Sequence, residues 1–451
     1  MGGRSVFNPL EFRDAVLPAI DCKARSAAIE RLVDYIGVTF AGAKKNRKRT
    51  EVMSRLLDHG DEGALAIGVP FRVSLKDAVF LNGLNSHAFD LDDGTNAGIV
   101  HLGSPVISTL LPLSEKYGVS GERLLDSIIL GYEMAFTLAI SVQPDHKLRG
   151  FHATGTCGEI GAAFAAAHLL QLDDEKVVAS FSSACVAASG YLFALDDGSE
   201  LKSYNTAKAA LLAVTSIQMG IAGYRGPRDP LCGKRGLIPT SCGEVSLQSP
   251  MKDGKLAVFK AYTKPYAACR YCHPAIEAAI RLSSENHLSP SLIDGVTVRT
   301  YDLAVFGHDH AEFPNSASAN MSIPYGVAVG LITKQAGLRE YGQEYLQSPL
   351  VIELAQKVRV SPEKEYSELF PTMQPAEVCV TLLDGKTYSY RVDYPKGEPE
   401  NPMSLDELAC KFKEMMRFAG IDESVSQDIL NAVLQVEGDA ERMFLKIREA
   451  L

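Results

Sequence analysis

"PENPMSLDELACKF", residues 399–412, decides how this chain is organised. Ser404 and Glu407 have the spacing of a capping box, in which a hydroxyl and a carboxylate satisfy the unpaired N–H groups at the start of a helix. Helical patterning then runs to the C-terminus. The residues before it read differently. "AEVCVTLLDGKTYSYRVDY" (376–394) is two β-rich runs joined at Asp384-Gly385, a strong hairpin signal, and "DGVTVRTYDLAVF" (294–306) alternates like a strand. The stretch at 399–412 is therefore a return to helix after a β-containing interlude.

The first half is helical. Ala28, Ile29, Leu32, Val33, Ile36 and Phe40 recur at helical spacing, and "GEIGAAFAAAHLL" (158–170) and "TAKAALLAV" (206–214) are rich in small residues that let helix axes approach closely. The expected fold is mainly α: a large helical domain built from residues 1–263 and 403–451, with a smaller α+β lid domain, 264–402, inserted between them.

The 451 residues carry a formal charge of −10, which disfavours nucleic acid as a partner and requires any anion site to be local. No apolar run stands out as a bilayer span, and the N-terminus "MGGRSVFNPLEF" lacks a signal-peptide apolar segment. Nine cysteines, an odd number scattered along the chain, read as reduced thiols. A cytoplasmic protein without membrane partners is expected.

Four windows carry chemistry. "SHAFDLDDGTNAGIVHLGSP" (86–105) gathers His87, Asp90, Asp92, Asp93 and His101. It reads as a polar loop with helix-capping aspartates, as an acid/base site, or as a metal site whose spacing fits no zinc or calcium template. "LRGFHATGTCGEIGAAFAAA" (148–167) puts His152 before a turn that opens a helix, with Cys157 as a lesser candidate nucleophile. "GSELKSYNTAKAA" (198–210) offers Lys202 and Lys208. "TKPYAACRYCHPAIEAAI" (263–280) offers Lys264 and Arg270, the latter as a bidentate carboxylate holder or as a tie between domains. Its Cys269-x-x-Cys272-His273 has haem-attachment spacing but lacks the exported context. No phosphate loop, dinucleotide fingerprint or esterase elbow is present.

Taken in order, "LNSHAFDLDD", a following histidine, "GFHATGTCG", "GS..K......KAA", "KPYAACRYCHPAIEAA", "SIPYGVAVGL" and "YPKGEPENPMS" resemble the MmgE/PrpD family over nearly the whole chain. That family includes 2-methylcitrate dehydratase, cis-aconitate decarboxylase and iminodisuccinate epimerase. The resemblance implies a homodimer that works on a small di- or tricarboxylate without metal or organic cofactor. By position it implies catalytic roles for Asp90, His101, His152, Lys202 and Lys264, and substrate contacts from Thr95, Cys269, Arg270, His273 and Tyr325.

Three positions depart from the pattern. Asp93-Gly94-Thr95 stands where relatives commonly read "DDT", Cys269 where the decarboxylase has a histidine, and Leu102 where a proline is frequent. The expected activity is a carbon-oxygen lyase that dehydrates a 2-methylcitrate-like hydroxy acid. The alternatives are an epimerase or racemase, a cis-aconitate decarboxylase, and a non-catalytic organic-acid binding protein.

Overall fold

The computed structural model describes residues 6–57, 63–243 and 247–451. The chain is mainly α. Its first core is a layered helix packing in which Leu32, Leu110, Ile128 and Phe164 are fully or almost fully buried. The long helix Cys22–Met53 starts where Asp21 Oδ1 accepts from the Ala24 N–H at 2.8 Å. The helices Gly121–Val142, Ala153–Leu169 and Lys202–Ile221 pack in sequence against one another. A Cβ on Gly161 would lie 2.6 Å from the carbonyl oxygen of Gly131, so the first two of these pack closer than side chains would permit.

The expectation that no segment matches a bilayer span needs correcting. Gly121–Val142 has the length and apolarity for one, because an 18-residue window within it holds at most two charged side chains, yet 89% of that window is buried within the fold. It is a buried helix of the first core.

The second core is built on a four-stranded sheet: β1 (Ile293–Thr300), β2 (Val358–Pro362), β3 (Ala376–Leu382) and β4 (Thr387–Val392), in the order β2-β1-β3-β4. β1 runs parallel to β2 and antiparallel to β3, with Val298 opposite both Val360 and Val378. The β3–β4 hairpin turns at Asp384-Gly385, where Gly385 takes φ 84°, a left-handed conformation that costs glycine little. Alternation in 294–306 overstates the strand. It ends at Thr300, and Asp302–Val305 forms a helical turn whose first N–H is met by the Ser367 hydroxyl. Helices His273–Asn286 and Ile323–Thr333 pack with this sheet.

The capping box is formed: Ser404 Oγ accepts from the Glu407 N–H at 3.2 Å, and Glu407 Oε2 accepts from the Ser404 N–H at 2.7 Å. The helix it starts, Leu405–Ala419, lies along Cys22–Met53, with Phe412 and Met416 in the first core and Met415 in the second. Lys411 on this helix is buried, pairs with Asp34 at 2.5 Å and donates to the Leu91 carbonyl at 3.1 Å. The returning helix thereby braces the loop after Asp90.

Candidate active site

Asp90 adopts φ 53°, a left-handed backbone that a non-glycine residue holds only when its surroundings enforce it. Here the enforcement is ionic. Lys264 Nζ donates to the Asp90 carbonyl at 2.6 Å and to its Oδ1 at 2.7 Å, while Lys202, at the start of helix Lys202–Ile221, pairs with Oδ2. Burial alone would raise the Asp90 pKa, but Lys202 and Lys264 outweigh it and hold the carboxyl well below its usual range. Lys202 shifts the other way: burial works against its charge, and Asp90 more than restores it.

Asp92 organises the histidines. Its Oδ1 lies 2.7 Å from His87 Nδ1, and its Oδ2 accepts from the Ser104 hydroxyl at 2.6 Å. Oδ2 also lies 3.1 Å from His101 Nδ1, close but out of hydrogen-bond alignment. A carboxylate favours the proton on the facing Nδ1, which leaves Nε2 as the basic atom. His101 Nε2 lies 3.5 Å from Asp90 Oδ1. Burial pushes His101 down to about 4 against the pull of Asp92, and pushes His152 well below its ordinary value, with Lys202 adding to the effect. Both are neutral bases at pH 7.

His152 stands at the N-cap position of helix Ala153–Leu169 with its side chain free of the helix end, and the Thr154 hydroxyl in the first turn accepts from the His101 N–H at 3.1 Å. The two windows are thus joined directly. Asp93 has a different task. Its Oδ1 accepts from Gly103 N–H at 2.8 Å and its Oδ2 from Tyr132 at 2.6 Å, fixing the start of helix Gly103–Tyr117. Burial pushes its carboxyl up to about 6. Gly94 is required because a Cβ there would lie 2.5 Å from the Tyr262 hydroxyl. Thr95 follows it with a buried Oγ1 that has no hydrogen-bond partner among the described residues and lines the cavity, so the displaced threonine still reaches the site.

These groups line a cavity of about 600 Å³ that takes walls from both parts of the fold, as ligand sites between domains commonly do. Six lysines and arginines line it against three carboxylates, a local positive site on an acidic protein. Lys45 and Lys147 carry no carboxylate partner among the described residues. Lys45 donates to the Ala88 carbonyl at 2.6 Å and Lys147 to the Tyr271 hydroxyl at 2.9 Å. Burial lowers both to about 8. Neither was singled out from sequence, since a lysine on a helix has no local signature.

The remaining expected contacts divide. Cys269 lines the cavity, 3.3 Å from His308 Nε2. Arg270 reaches its wall, but its fork is held by Glu398 at 2.8 and 2.5 Å and by the Pro395 and Lys396 carbonyls, so it ties together the two ends of the 264–402 stretch, while Glu398 Oε2 accepts from Asn96 in the loop after Asp90 at 2.8 Å. His273 accepts from Arg270 through Nδ1 at 2.9 Å, faces the Ala268 carbonyl through Nε2 at 3.1 Å, and does not line the cavity. Tyr325 is also off the wall: its hydroxyl donates to the Glu340 carbonyl at 2.5 Å, and its ring packs on Phe313 and Tyr341. Neither His273 nor Tyr325, both expected to contact substrate, reaches the cavity wall. Cys157 lies in the helical core with its thiol pushed up to about 12 by burial, which removes it as a nucleophile.

Two family descriptions match the chain, the MmgE/PrpD N-terminal domain over residues 15–249 and the MmgE/PrpD C-terminal domain over 266–435. This chain belongs to the MmgE/PrpD family. Among its relatives, a cis-aconitate decarboxylase-like protein of Aspergillus oryzae is 26% identical over 85% of this chain and 84% of its own. The cis-aconitate decarboxylase of Aspergillus terreus is 23% identical, covering 90% of this chain and 87% of its own. That of Mus musculus is 25% identical, covering 90% and 84%. As an MmgE/PrpD protein with enzyme relatives along nearly its full length, the chain fits an enzyme of the lyase or decarboxylase type.

Donor atoms of His87, Asp90, Asp92 and His101 lie within 4.8 Å of one another, close enough to share a metal ion. The charge balance argues otherwise. Two lysine ammonium groups already satisfy Asp90, and a divalent cation would have to sit beside both of them.

Proposed function

We propose that the protein is a cofactor-independent lyase that removes a proton from the carbon next to a carboxylate of a small di- or tricarboxylic acid. The observation that carries this is the placement of neutral His101 and His152 in the same cavity wall as the Lys202–Asp90–Lys264 cluster. Each ammonium has three donors. Asp90 takes two from Lys264 and one from Lys202, which leaves donors of both for a substrate carboxylate.

Proton removal next to that carboxylate places enolate-like charge on its oxygens. A fixed donor at such a point contributes about 3 kcal/mol to lowering the barrier, and a positioned base roughly 10²- to 10⁴-fold in rate. Lys45 and Lys147 would hold a second carboxylate. Neutral imidazoles take a proton before they give one. That order suits elimination of water from a 2-methylcitrate-like hydroxy acid, with epimerisation sharing the first step.

Decarboxylation is the second reading, favoured by the names of the relatives; it needs a proton delivered to carbon instead. Incubation with 2-methylcitrate, citrate and cis-aconitate separates the two. Dehydration raises alkene absorbance from the hydroxy acids, whereas decarboxylation releases carbon dioxide from cis-aconitate. Binding of these acids without either change would overturn the lyase reading and leave an epimerase, which exchanges the carbon-bound proton in deuterated water, or an organic-acid binding protein, which does not.

A further inference from the structure

Neutral histidines explain how a carbon proton is taken, but not what protonates a departing hydroxyl. A second cluster in the same cavity meets that need. Cys269 comes from the segment before helix His273–Asn286, and His308 from the loop after β1. His308 Nε2 lies 3.3 Å from Cys269 Sγ, and His308 Nδ1 lies 2.9 Å from the Phe306 carbonyl oxygen. A carbonyl can only accept, so Nδ1 carries a proton and, in the neutral ring, Nε2 is the acceptor facing the thiol. This is the arrangement of an activated nucleophile and its oriented base. The Tyr271 ring stands edge-on to the imidazole at 5.3 Å and restricts its rotation.

The surroundings favour charge on sulfur. Burial opposes the thiolate, but His308 outweighs it and brings Cys269 down to about 6. Lys202 and Lys147 face it as cations and Asp90 as the nearby anion; Tyr262, Tyr271, Tyr301 and Cys272 complete its titratable neighbours. Cys269 and His308 both line the cavity shared with His101 and His152.

We propose that Cys269 and His308 form a second proton-transfer pair, a thiolate facing an imidazolium whose Nε2–H supplies the proton that leaves with the substrate hydroxyl. The inference rests on the lyase reading above. One of the neutral histidines takes the proton from carbon, the C–H electron pair becomes the new π bond, and the C–O pair leaves with oxygen. The proton on His308 Nε2 joins that oxygen to give water. Solvent then returns a proton to Nε2 and removes one from the histidine that acted as base.

The test starts without substrate. The full-length protein is alkylated with iodoacetamide across pH, and modification of Cys269 is followed by mass spectrometry against the exposed thiols Cys22 and Cys410. Cys269 should react at lower pH than both references, and His308→Asn should abolish that lead. If His308→Asn fails to fold, the ultraviolet thiolate absorbance of wild type minus Cys269→Ser gives the same titration. On an acid that the enzyme turns over, His308→Asn should lower kcat about 100-fold with KM nearly unchanged. A Cys269 that titrates like Cys22 and Cys410, or that never reacts, overturns the ion pair; wild-type kcat in His308→Asn overturns its role. If no acid is turned over, the lyase reading fails by itself, and alkylation still decides whether the pair exists.

Discussion

Lys264 Nζ donates to both the main-chain carbonyl and the carboxylate of Asp90, at 2.6 and 2.7 Å, although 174 residues separate them in the chain. The contact joins the segment leading into the second core to the loop of the first. It also holds Asp90 in its left-handed backbone and sets the position of an ammonium on the cavity wall.

Replacing Asp90 by asparagine removes the ion-pair partner of Lys264, which is 1% exposed at its side chain, and the nearest anion of Lys202. Breaking a buried pair from one side costs about 3–5 kcal/mol. Asp90→Asn should therefore show a lowered denaturation midpoint together with lost turnover. Unchanged stability would mean that the pair contributes little to the fold.

Substrate affinity should weaken above about pH 8. Lys45 and Lys147 are both lowered to about 8 by burial, so they are charged below that pH and lose the charge above it. KM for a tricarboxylate should rise through this range while kcat holds. Lys147→Met should raise KM at neutral pH and flatten its rise above pH 8.

Much of this was legible in the chain itself. The capping box at Ser404 and the Asp384-Gly385 hairpin are local signals, readable because the forces that form them act within a few residues. The family resemblance brought together Asp90, His101, His152, Lys202 and Lys264, which the structure places around one cavity. Long-range pairing was not legible. Arg270 could have held substrate until Glu398, 128 residues away, proved to occupy its fork. Tyr325 was assigned by position alone, and its hydroxyl meets a main-chain carbonyl that no motif announces.

Exhaustive dialysis against a chelator should leave turnover unchanged. His87, Asp90, Asp92 and His101 converge, but Lys202 and Lys264 supply the positive charge that an ion would bring. Activity lost to chelation and restored by one divalent metal would reassign the cluster.

Glu159 makes a test away from the cavity. Neither of its carboxylate oxygens has a hydrogen-bond partner among the described residues, and burial pushes its pKa up to about 9. The unfolded chain releases this proton near 4.5, the folded chain only near 9, so folding stability falls as pH rises between those values. Glu159→Met should be more stable than wild type by a margin that grows with pH, about 3 kcal/mol at pH 7. Denaturant melts at pH 5 and pH 8 measure it; equal margins at both would contradict the buried-acid account.

The central claim, metal-free proton transfer at carbon by His101 and His152, is tested most directly by NMR in deuterated water. With an acid that the enzyme turns over, wild type should introduce deuterium at the carbon next to a carboxylate, in product or in recovered substrate. The folded double variant His101→Asn/His152→Asn should lose at least about 100-fold of that rate. Label entering at the wild-type rate in the double variant would contradict the account.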